Sequence, residues 1–345
     1  MHFPVTLSIV LALGLAQHPV SVPQGTKPQS QPPAAATEAT DSNSILQIQV
    51  MLDRAGFSPG PIDGRMGANT KKALELFQKS GHQQAPPADS ITSYRITAAD
   101  VAGPFIESLP DDMMETAKLP ALGYSSVLEE IAERFHSTPA LLQQLNRAVT
   151  FAEGQEIQVP NVDPMVVPAS ASITAPPAAA RAGKPQGAAN APQPTGTSGV
   201  DAAGVMQRPD VTVTVARSTS ALTVADATGA VVLYAPVTTG SEHDPLPIGD
   251  WKVTGIQLNP KFHYNPDLFW DADSAHTKAT IQAGPNNPVG VVWIDLSKQH
   301  YGLHGTPEPS TIGRTQSHGC VRMTNWDALK VAALVKPGTR VVFTE

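Results

Sequence analysis

The stretch HGTPEPSTIGRTQSHGCVR, from His304 to Arg322, contains the only cysteine of a 345-residue chain. Cys320 directly follows Ser317-His318-Gly319, and a second His-Gly pair, His304-Gly305, lies upstream. A thiol attacks as thiolate, and a nearby imidazole is a common means of forming one. A lone cysteine is more often a small buried apolar residue. The two flanking histidines, each beside a glycine, favour a nucleophile for acyl transfer instead.

Around this stretch the pattern is that of strands. Residues 211–215 alternate as VTVTV, and 221–225, 230–234, 251–256, 289–296 and 340–343 continue the alternation, with a turn at 226–229. One helix is expected, 325–335, with Asn325 as its cap and Pro337-Gly338 after it. Residues 210–345 therefore read as a β-rich domain. Acyl transfer needs a nucleophile, a base and donors for an oxyanion. Cys320 is the nucleophile, and the Gly319 and Cys320 amides are candidate donors. Arg322 could grip a substrate carboxylate in bidentate fashion. Residue chemistry alone leaves the base open between His304 and His318. A zinc site is the competing reading, since His300 and His304 are four apart and His243, His263 and His276 share the domain. However, His-x₃-His without an intervening Glu, in a β-rich domain, matches helical zinc motifs poorly.

The bulk properties narrow the classes further. The net charge is −7 and no basic stretch appears, which argues against a nucleic-acid partner. One cysteine permits no internal disulfide. The 33 prolines and 26 glycines are unevenly spread, which implies linkers between compact units. Residues 1–16 include the apolar run FPVTLSIVLALGLA ahead of Gln17. This is the length of a signal-peptide core and short for a span, although Met1-His2 carries no basic charge. An uncleaved anchor is the alternative, and no later stretch is long and apolar enough to span a bilayer. Residues 17–40 are expected to be a disordered tether. Residues 41–85 should form short helices around tight turns, the first capped by Ser42 or Asn43 and the second by Asn69 or Thr70. Residues 86–120 form a connector, in which Asp111-Asp112 reads as an acidic helix start. Residues 121–163 read as strand–helix–helix–strand with Thr138 as a cap, and His136 as a core or solvated histidine. Residues 164–209 are an Ala/Pro-rich linker.

Three resemblances sharpen this division. Leu46-Gln47, Gly56-Phe57, Pro59-Gly60, Ile62-Asp63-Gly64, Gly67, Thr70, Ala73 and Phe77-Gln78 resemble the peptidoglycan-binding domain type 1 family, which implies a three-helix module holding wall polymer. Ile131-Ala132, Phe135, Pro139, Leu142, Leu145-Asn146, Gly154-Gln155, Ile157 and Val159-Pro160 resemble a LysM module. Its usual Gly-Asp-Thr start is replaced by Ser125-Ser126-Val127. His304-Gly305 with Ser317-His318-Gly319-Cys320-Val321-Arg322, preceded by Leu246-Pro247-Ile248-Gly249-Asp250-Trp251, resembles the YkuD-type L,D-transpeptidase catalytic domain.

The expected architecture is multidomain α+β: a small helical peptidoglycan-binding module, a LysM-like βααβ module and a C-terminal β-rich catalytic domain. The last resemblance implies that Cys320 forms a thioester with a peptidoglycan tetrapeptide stem and that His304 is its base. It further implies that the Gly305 carbonyl orients His304, and that His318, Gly319 and Ser317 line the site with Arg322. The product would be a 3→3 crosslink, or a trimmed stem or attached protein with other acceptors. Peptidoglycan is the expected partner, no cofactor is implied, and the expected location is the periplasm or cell envelope. A wall-binding protein without activity is the remaining alternative.

Overall fold

The computed structural model describes residues 34–174 and 208–345, with side chains from residue 43. The expected signal peptide 1–16, most of the 17–40 tether and most of the 164–209 linker lie outside the described residues. Helix α1 (Ala34–Arg54) begins before the expected caps Ser42 and Asn43, so it takes in the end of the tether region. Its later turns bury Met51 and Leu52 in one apolar cluster, whereas Leu46 and Val50, one turn apart, share another face and a second cluster. The helix also buries Gln49, whose amide nitrogen donates to Asp63 Oδ1 at 2.9 Å and to Thr70 Oγ1 at 3.2 Å. Its amide oxygen accepts from the Asp63 and Gly64 N–H groups. One buried amide thus fixes the 63–65 turn with its polar atoms satisfied.

Helix α2 (Ala68–Lys79) starts after Gly67, not at Asn69 or Thr70. Tertiary partners take both side chains that were expected to cap it. Thr70 accepts from Gln49, and Asn69 donates to the Ile312 carbonyl at 3.1 Å. Two helices, rather than the three implied, form this unit among the described residues.

Next come β1 (Ile91–Arg95), α3 (Ala98–Val101), α4 (Met113–Thr116), α5 (Val127–Arg134), α6 (Pro139–Leu145) and β2 (Glu156–Pro160). Asp112 caps α4 by accepting from the Met114 and Glu115 N–H groups, and Thr138 caps α6. The strand that pairs with β2 is β1, in register Tyr94↔Ile157. The expected 86–120 connector therefore supplies that strand, four helices rather than two lie between it and β2, and residues 104–122 run over the C-terminal domain. There Leu122 donates to Ala283 O and accepts from the Asn286 N–H. Strand β3 (Ala171–Thr174) comes from the start of the expected linker and pairs with β7 of the C-terminal sheet.

The C-terminal part comprises β4 (Val211–Ala216), β5 (Ala221–Asp226), β6 (Val231–Pro236), β7 (Gly249–Leu258), β8 (Phe262–Tyr264), β9 (Ala279–Ile281), β10 (Val292–Leu296), β11 (Gly302–His304), β12 (Val321–Arg322), α7 (Asn325–Leu334) and β13 (Arg340–Thr344). The main sheet has the order β12-β11-β10-β7-β13-β4-β5-β6, with β3 also on β7. Ten-residue β7 joins its halves, pairing with β13 early and with β10 later. The inward residues of these strands pack against Ala328, Val331 and Ala332 of α7. Thr324, not Asn325, caps α7.

The N-terminal units pack directly on this domain. Tyr234 exchanges backbone bonds with Gly56 and Ser58, and Phe57 is buried against it. Asp53 bridges His136 and Lys330 of α7 at 3.0 Å each, and the His136 ring stacks on Trp326 at 5.2 Å. Burial alone would raise the Asp53 pKa, but His136 and Lys330 outweigh it and hold the carboxyl well below its usual range. A depressed carboxyl contributes stability above its unfolded pKa and loses it as pH falls through the folded value. Asp53→Ala would strand two cation-capable groups, so we expect a loss of about 3 kcal/mol in urea unfolding at pH 7. An unchanged midpoint would show that the bridge carries no net stability.

Candidate active site

Strand β12 lies parallel to β11, with Leu303 beside Val321 and His304 beside Arg322. Side chains alternate along a strand. Leu303 and Val321 therefore point into the core, where both are fully buried. His304, Arg322 and the preceding Cys320 share the opposite face. Trp293, paired with His304 across β10, joins them. All four line a cleft of about 1060 Å³ together with Tyr301 and His318.

His304 Nδ1 lies 2.7 Å from the Gly305 carbonyl oxygen. A carbonyl only accepts, so Nδ1 carries the proton and Nε2 keeps its lone pair. The ring stacks on Trp293 at 5.4 Å. Burial, then the charge of Arg322, lowers the His304 pKa to about 3, against the pull of the Gly305 bond. The imidazole is thus neutral at physiological pH. Burial likewise raises the Cys320 pKa to about 11, opposed by a backbone bond at Gly302 and by Arg322. The thiol points toward His300 O at 3.6 Å. The resting pair is a neutral thiol and a neutral imidazole.

His318 sits differently. Its Nε2 is 2.7 Å from Asp271 Oδ1, and its ring packs on Phe269 and Trp270. These three partners belong to the 265–278 loop between β8 and β9, so His318 ties that loop to the cleft. Ser317 is buried and donates to the Cys320 carbonyl at 2.6 Å, holding the turn that presents the thiol. Gly319 has φ +94°, and a Cβ there would sit 2.7 Å from the Tyr301 ring. That position excludes side chains on both counts.

Three further histidines of this domain have separate partners. His276 lies between Asp112 and Tyr264, His243 stacks on Trp270, and His263 is near Thr280 Oγ1. Among the described residues no group of three or more His, Cys, Asp or Glu is placed to hold a metal ion. Sequence reasoning missed Trp293, Tyr301 and Asp271. Trp293 alternates with Asp295 on a strand that was expected, which marks the two as sharing a face. Nothing local marks Tyr301 or Asp271.

Residues 210–343 match the family model described as "L,D-transpeptidase catalytic domain", and residues 41–85 match "Putative peptidoglycan binding domain". The "Putative L,D-transpeptidase YkuD" of Bacillus licheniformis is 54% identical over 63 residues, covering 18% of this chain and 38% of that protein. The "Putative L,D-transpeptidase YqjB" of Bacillus subtilis is 31% identical over 115 residues, covering 32% and 57%. The chain thus spans well under two thirds of these relatives. A solved "L,D-transpeptidase from Mycobacterium smegmatis" aligns over 40% of this chain and 59% of that one, at 17% identity and a TM-score of 0.32. The C-terminal part of this chain is thus similar to YkuD-type L,D-transpeptidase catalytic domains, and residues 41–85 to peptidoglycan-binding domains.

Proposed function

We propose that the protein is a cysteine-dependent L,D-transpeptidase acting on peptidoglycan tetrapeptide stems. The observation that carries this reading is the shared face of Cys320, His304 and Arg322, with the Nε2 lone pair of His304 left available. In the proposed reaction, Cys320 Sγ adds to the carbonyl between the diamino third residue and the terminal D-Ala. His304 Nε2 takes the thiol proton as the S–C bond forms. The Gly319 and Cys320 N–H groups donate to the oxyanion, and Arg322 holds a stem carboxylate. Collapse expels the D-Ala amine, which leaves with the proton held by His304. A thioester remains on Cys320. The side-chain amine of a second stem then attacks the thioester, releasing the thiol and forming a 3→3 crosslink.

Residues 41–85 would hold the wall polymer, and residues 121–163 are proposed as a LysM-like glycan contact. A leader at 1–16 would place the enzyme in the periplasm or envelope. Among the described residues no helix is long and apolar enough to cross a membrane.

Mass spectrometry of products from purified disaccharide-tetrapeptide tests the reaction. A crosslinked dimer is expected. A tripeptide alone would make the enzyme an L,D-carboxypeptidase. Turnover that survives thiol alkylation but is lost in EDTA would sink the cysteine mechanism.

A further inference from the structure

Asn325, the first residue of α7, is fully buried behind the cleft. Its amide oxygen accepts from the Val291 N–H at 3.0 Å. Its amide nitrogen donates to Pro285 O at 3.2 Å and to Glu133 Oε1 at 2.6 Å. The same amide oxygen lies so close to Gly290 and Gly305 that a Cβ on either would meet it at 1.9 or 2.0 Å. Asn325 is therefore the wall against which the Gly305 backbone rests. The Gly305 carbonyl in turn accepts the His304 Nδ1 proton.

Glu133 enters this chain of contacts from outside the catalytic domain. It lies on α5, between β1 and β2, 192 residues from Asn325 in sequence, and is itself buried. Burial raises its pKa to about 8, outweighing its bonds to Asn325 and Tyr124. A buried acid held in this way costs stability unless its bonds are kept, and one of those bonds ends on Asn325. Without Glu133, the Asn325 amide nitrogen keeps only the longer bond to Pro285 O, and its orientation against Gly305 loosens.

We propose that Glu133 is a positioning residue for the base: acting through Asn325, it fixes Gly305 and so the tautomer and direction of His304. The unit that carries α5 is then an internal brace of the site as well as a neighbour of it. This inference rests on the reading of His304 as base.

The test uses the full chain with Glu133→Gln, Glu133→Leu and Asn325→Ala, each checked for cooperative thermal unfolding. Acylation by a carbapenem is followed by intact mass, and the His304 ring nitrogens by ¹⁵N NMR. Glu133→Leu and Asn325→Ala should each slow acylation about tenfold through misorientation. The double variant should be no slower than either single one, because the two residues act in series. Glu133→Gln, which keeps an accepting oxygen, should stay within about twofold of the parent. The Nδ1–H tautomer of His304 should dominate in the parent and Gln variants and become mixed in the Leu variant.

Glu133→Leu acylating at the parental rate with an unchanged tautomer would overturn the proposal. So would a Gln variant as slow as Leu, which would indicate a purely structural role. If the parent itself forms no adduct, the transpeptidase reading fails, and the tautomer comparison between Gln and Leu alone decides this one. If Leu does not fold, the tautomer in Asn325→Ala decides in the same sense.

Discussion

Cys320→Ala is expected to remove at least about 10⁴-fold of turnover on tetrapeptide stems, since in the proposed mechanism the thioester forms on this thiol. The thiol sits at the end of a turn held by the Ser317 bond to its carbonyl, and that bond uses backbone rather than sulfur. The variant should therefore fold, and its unfolding midpoint should move little. Intact-mass analysis with a carbapenem gives a second readout. The parent should gain one adduct, and the variant none. An adduct on the variant would place the nucleophile elsewhere, and residual turnover above about one per cent would point to a mechanism without a thioester.

His304→Gln is expected to cost about 10²–10⁴-fold in acylation at pH 7, the usual range for a lost general base. The pH dependence distinguishes this loss from simple damage. In the parent, the thiol is protonated below about 11 and the imidazole unprotonated above about 3. The neutral pair therefore persists between those values, and acylation should be nearly flat across the neutral range. Without the base, only free thiolate attacks, and its fraction rises about tenfold per pH unit below the thiol pKa. A variant rate that climbs steeply with pH supports His304 as base. A flat, uniformly lowered profile would assign the proton transfer to another group, with His318 the first candidate.

Part of the site was legible because its information is local: the Ser-His-Gly-Cys-x-Arg run marks Cys320, His318 and Arg322, although no strand was expected at 302–304 or 320–322. The pairing of β11 with β12 brings His304 to the face of Cys320 and Arg322, which spacing alone could not establish. The helix caps were less legible, for one physical reason. Asn69 and Asn325 suit N-caps, yet distant partners, the Ile312 carbonyl and Glu133, recruit both. Gly67 and Thr324 are left to begin the helices. The first strand expected within 121–163 is not there; β2 pairs with β1 instead, and register, set by pairs such as Tyr94↔Ile157, has no signature within either strand. The docking of residues 104–122 on the catalytic domain was hidden in the same way. Leu122 gains its partners at 283 and 286 only once the chain is folded.

The raised thiol pKa also bears on chemical durability. With a pKa near 11, only about one Cys320 in 10⁴ is thiolate at pH 7. Peroxides and foreign disulfides react with the thiolate. In an oxidising compartment such a cysteine would resist sulfenic acid formation and mixed-disulfide capture, while a substrate lodged beside His304 could still draw off its proton.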